Sequence, residues 1–197
     1  MPKFHTRRFE REVAKALSSK PMQNKAYVIA QERLNNAQRE MSEEFEAHPV
    51  TKEIDGGKDS TNLSGTLGGY GNLFTFIGFS SESSPISSIR KYLQQTSTVL
   101  KQPKIRRKQA FVDMAFRIKV PTLEGVESVS PSPWSGRSWA REVERGISGF
   151  GSYMNSNSSL SKSRSGQGLQ LDNELRAMAY RPIRYMSSIL QKFYSKI

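Results

Sequence analysis

The sequence predicts an α+β fold: a small antiparallel sheet packed with helices, preceded by a long N-terminal helix and an extended glycine-rich arm. Three patterns carry this reading. Ala26, Ile29, Ala30, Leu34, Ala37, Met41 and Phe45 form one apolar stripe at helical spacing, about 36 Å long at 1.5 Å per residue. Residues 109–120 alternate, with Val112, Met114, Phe116, Ile118 and Val120 on one side and Phe111, Asp113, Ala115, Arg117 and Lys119 on the other, which predicts a strand. Residues 65–79 place Gly65, Gly68, Gly69 and Gly71 ahead of a β-like apolar run.

The elements follow in order. Residues 7–19 lack Gly and Pro, and Phe9, Val13 and Leu17 recur four apart, so a first helix is expected. Pro21 suits the first turn of a second helix running to Glu46. His48-Pro49 is expected to close this helical region, residues 1–48. Residues 49–66 read as extended and turn-rich, with Asp55-Gly56-Gly57 and Asn62 as turn formers. Residues 49–83 as a whole form the expected arm or hairpin. Leu67, Tyr70, Leu73, Phe74, Phe76, Ile77 and Phe79 would insert into a core or a partner, because so many exposed apolar side chains would invite aggregation. As a site, these seven residues are assigned to a subunit interface.

Residues 84–197 supply the helix and sheet body of what reads as a single domain. Pro85 starts a helix whose apolar face is Ile86, Ile89 and Leu93. Thr122 caps a short helix, 123–129. A further helix is expected over 138–153, with Trp139, Val143, Ile147 and Phe150 on its apolar face and Gly146, Gly149 and Gly151 allowing close packing. Residues 155–166 are a polar loop, and Leu169 and Leu171 suggest another strand. The last helix, 185–194, turns Met186, Ile189, Leu190 and Phe193 inward.

Charge and composition narrow the function. The 197 residues carry 30 Lys and Arg against 18 Asp and Glu, a net charge of +12. The absence of cysteine removes disulfides, thiolate metal sites and thiol nucleophiles. His5 and His48 lie far apart with no ligand-like spacing, so neither a metal nor another cofactor is expected. Nor is there a Ser/His/Asp arrangement, a nucleophile elbow or a phosphate-binding loop, so the chain does not read as an enzyme. No apolar run is long enough to span a bilayer and no apolar leader opens the chain, so no membrane partner is expected. Residues 101–119 concentrate the positive charge: Lys101, Lys104, Arg106, Arg107, Lys108, Arg117 and Lys119 against Asp113 alone. Lys104, Arg106, Arg107 and Lys108 are candidate contacts for a polyanion or an acidic partner. Glu40, Glu43, Glu44 and Glu46 read as a solvated acidic face or as the complement of a basic patch on another copy.

Three stretches are similar to the tail-completion and head–tail joining proteins of long-tailed bacteriophages. They are residues 65–79 (GTLGGYGNLFTFIGF), residues 133–150 (PWSGRSWAREVERGISGF) and residues 178–186 (MAYRPIRYM), about a fifth of the chain. The long N-terminal helix and the glycine-rich arm are additions to the family's pattern. The resemblance implies a small antiparallel sheet with helices on one side. It also implies a homo-oligomeric ring in the virion neck, six-fold or twelve-fold, that meets other neck and tail proteins and contacts packaged DNA non-specifically. It implies assembly in the host cytoplasm. The alternative from charge alone is a basic nucleic-acid-binding protein that contacts phosphates through residues 101–119.

Overall fold

The computed structural model describes residues 6–67, 71–100, 103–107, 111–133, 136–146 and 180–197. Helix α1 (Thr6–Leu17) is followed by the 28-residue α2 (Lys20–Ala47), with Pro21 in the first turn of α2. The buried stripe of α2 is Leu34, Ala37, Met41 and Phe45, extended by half-buried Ala30 and Tyr27. Ile29, expected on that stripe, is exposed. At about 100° per residue it stands roughly 140° round the helix from Leu34, whereas Tyr27 stands only about 20° from it.

Pro49 does not end the helical region. His48 adopts the extended conformation favoured before proline, and Pro49 then opens a new helix, α3 (Pro49–Asp55). His48 joins the two: its backbone N–H donates to Phe45 O, and its Nδ1 accepts the Val50 N–H at 3.2 Å. Its Nε2 lies 3.2 Å from Arg184 O, which makes Nε2 the protonated nitrogen.

The glycine-rich segment is not an extended arm. Asn72 caps a five-residue helix, α4 (Leu73–Ile77), by accepting the Thr75 N–H at 3.0 Å, and Gly78 closes it at φ +81°. The Asn72 amide also donates to Lys58 O and Ser60 O, 2.9 and 2.7 Å away. The fully buried Glu53 of α3 accepts the Leu73 N–H on one oxygen at 2.7 Å and the Ser64 N–H on the other at 2.6 Å. The loop is thus folded back onto α3, and its apolar side chains become core.

Helix α5 (Pro85–Thr96) buries Ile86, Ile89 and Leu93 as expected. Arg90 on this helix grips both oxygens of Glu46, at 2.5 and 2.8 Å, and reaches Asp55 at 3.2 Å; these contacts hold the Glu46 carboxyl below its ordinary range. Helix α6 (Leu123–Ser128) is capped by Thr122 Oγ1, which accepts the Gly125 N–H. Gly125 is needed for closeness, since a Cβ there would stand 1.8 Å from the Tyr92 hydroxyl oxygen. Helix α7 (Trp139–Arg145) ends earlier than expected: Gly146 adopts φ +87°, and its nearest potential Cβ contact is 4.0 Å away. Its glycine therefore stops the helix and does not let a neighbour approach. Ile147, Phe150, Gly149 and Gly151, the 155–166 loop and the strand expected near 169–175 lie outside the described residues.

Helix α8 (Met186–Lys196) turns Met186, Ile189, Leu190 and Phe193 into the core. Glu144 Oε1 accepts the N–H groups of Tyr185 and Ser187, so a carboxylate sits at the positive end of this helix. Fully buried Tyr185 shares a hydrogen bond of 2.8 Å with Thr51 and stacks between Phe45 and Trp139, with ring centroids 6.2 Å away on each side. Phe79 meets Trp139 edge-on, which joins the folded-back loop to this aromatic column.

Two outcomes test this packing. Glu53→Ala leaves two backbone N–H groups without an acceptor and is expected to cost on the order of 3 kcal/mol in urea unfolding, with Glu53→Gln costing less. Burial holds the His48 imidazole below its ordinary value of 6.5, against the pull of the Arg184 carbonyl. The unfolded chain therefore binds that proton more readily, so the His48 contribution is present above pH 6.5 and drains away as pH falls through its lower folded value. Urea midpoints between pH 7.5 and 5 should fall, and His48→Asn, which keeps an acceptor for Val50, should flatten that limb.

Candidate functional site

The basic segment forms a β-hairpin, which the sequence reading did not anticipate. The strand expected over 109–120 is broken into β3 (Val112–Ala115) and β4 (Ile118–Lys119). Each part pairs antiparallel with the chain that precedes it. β1 (Thr98–Val99) pairs with β4, Val99 opposite Ile118; β2 (Lys104–Arg107) pairs with β3, Lys104 opposite Ala115 and Arg107 opposite Val112. Between the ladders the first strand takes five steps while the second takes three, which accommodates Pro103.

Register decides which side chains share a face. Residues directly opposite in an antiparallel pair point the same way. One face therefore holds Val99, Ile105, Arg107, Val112, Met114, Phe116 and Ile118. The other holds Thr98, Leu100, Lys104, Arg106, Asp113, Ala115, Arg117 and Lys119. The first face packs on the N-terminal helices. Phe116 meets Tyr27 of α2, with centroids 6.1 Å apart at 60°, and Arg107 Nε donates to Ser18 Oγ at 3.1 Å. On the second face Lys104, Arg106, Arg117 and Lys119 are all exposed.

The candidate residues thus separate into two fates. Leu67, Leu73, Phe74, Phe76, Ile77 and Phe79 are all buried in this chain's own core, so they are not available as a subunit-interface arm. Tyr70 lies outside the described residues. Of the polyanion candidates, Lys104 and Arg106 share the exposed face, Arg107 turns to the helix side, and Lys108 lies outside the described residues. Arg117 and Lys119 complete the exposed face. Their alternation was visible, but their sharing a side with Lys104 and Arg106 depends on strand pairing.

The acidic residues of α2 largely serve this chain. Glu40 pairs with Lys196, Glu44 with Lys192 and Glu46 with Arg90, while Glu43 lies 3.9 Å from Arg39. Among the described residues no three His, Asp or Glu side chains gather as a metal site, and no helix is long and apolar enough to cross a membrane. Comparison with protein-family models, with curated proteins and with solved structures finds no match to this chain.

The hairpin's anchor is a specific point of attack. Phe116→Ala should remove about 1 kcal/mol of ring–ring attraction beyond the area lost. Amide exchange in β3 and β4 is expected to quicken while exchange in α5 and α8 stays unchanged.

Proposed function

We propose that this chain is a structural virion protein of a tailed bacteriophage that assembles as a ring in the neck, as a tail-completion or head–tail joining subunit. Similarity of the three stretches to that family supports the reading. One structural observation carries it further: the core cluster begins at Leu34, and the helices before it keep large apolar side chains in water. Phe9 is 70% exposed, Val28 52% and Ile29 65%. Helices of this length with an uncovered apolar side suit packing against a neighbouring copy. The subunit contact therefore moves from the 65–79 segment to α1 and the first half of α2.

Light scattering on the purified protein checks this. The expected mass is a closed multiple of the subunit, six-fold or twelve-fold. Replacing Phe9, Val28 and Ile29 together by serine should reduce it to a monomer without lowering the urea midpoint. A wild-type chain that stays monomeric up to high concentration would overturn the proposal.

A further inference from the structure

We propose that the outward face of the β-hairpin, formed by Lys104, Arg106, Arg117 and Lys119, binds the phosphate backbone of duplex nucleic acid without reading its sequence. The inference goes beyond the ring assignment and does not depend on it.

Geometry supplies the first argument. Register gathers the four cations onto one surface, and the opposite surface is taken by Tyr27 and Ser18. Lys104 and Arg106 stand on one two-stranded sheet, Lys119 on the other and Arg117 on the link between β3 and β4, all on the side turned away from the N-terminal helices. Same-face neighbours on one strand, such as Lys104 and Arg106 of β2, lie about 6.6 Å apart. Adjacent phosphates of one duplex strand, each step combining a rise of about 3.4 Å with a turn about the axis, lie about 7 Å apart, so the two spacings agree.

Charge supplies the second. Asp113 is the one acid among the face's described residues, so the face keeps a net +3. The whole chain adds a field of the same sign, at +12. An acidic protein presents carboxylates at a few fixed places, whereas a duplex carries phosphate along its whole length, so cations spread over two short sheets meet partners on it in any register. Side-chain chemistry supplies the third. All four cations are Lys or Arg, donors that meet phosphate oxygens, and phosphate contacts position a duplex without carrying sequence information.

The test is fluorescence anisotropy with two labelled 20-base-pair duplexes of unrelated sequence, titrated with the full-length protein across NaCl concentrations. The expected result is equal affinity for the two duplexes and a log–log salt slope of about −3 to −4 per subunit, from roughly 0.9 per neutralised phosphate. Arg106→Glu with Arg117→Glu should lower affinity at least tenfold at low salt with an unchanged far-ultraviolet circular dichroism spectrum. Lys104→Arg with Lys119→Arg, which keeps the charge, should bind like the wild type. A slope near zero, equal binding by the charge-reversed variant, or tighter binding of poly-glutamate than of the duplex at equal charge concentration would each overturn the proposal. A monomer that binds duplex as expected would uphold it while overturning the ring.

Discussion

Glu53 is fully buried, and both its oxygens are occupied by backbone amides of one loop. A carboxylate taken out of water is costly unless such donors compensate it. The loop must therefore return to α3, with Ser64 on one oxygen and Leu73 on the other. Asn72 reinforces the same geometry from within the loop, capping α4 with one side-chain atom and holding the 58–60 turn with the other. Once the loop is held, Leu73, Phe74, Phe76, Ile77 and Phe79 have nowhere to point but inward. Phe79 among them meets the column of Trp139, Tyr185 and Phe45 that joins α2, α7 and α8.

This closure determines what the molecule has left for partners. The most aromatic stretch of the chain is used up in its own core. All four clustered acids on α2 are paired with cations of the same chain, and three of these pairs, at partly exposed positions where each adds little stability, fix how α8 and α5 lie on α2. What remains uncovered are two different surfaces. The N-terminal helices offer apolar side chains, and the hairpin offers cations. The sheets and the N-terminal helices are joined where Arg107 reaches Ser18 at the end of α1 and Phe116 meets Tyr27 of α2.

The sequence alone determined the helices whose signals are local. The Pro85 and Thr122 starts, the inward faces of α5 and α8, and the second half of the α2 stripe depend on capping chemistry and a period of 3.6. Both act over a few residues and are readable without a partner. The alternation of residues 112–120 was equally legible, as was the clustering of positive charge in residues 101–119. Tertiary structure decided the rest, because the deciding contacts are distant in sequence. Residues 65–79 read as an extended arm because the glycines favour loops and the aromatic run after them favours a strand; an asparagine cap and a carboxylate twenty residues upstream made part of them a helix. Pro49 read as a stop because the pre-proline restriction is local, but the next residues had a buried face to fill and helix resumed. Lys104 and Arg106 could be seen as basic, but their sharing one face with Arg117 and Lys119 follows only from strand pairing. A shift of one residue in that register would turn half of them toward α2.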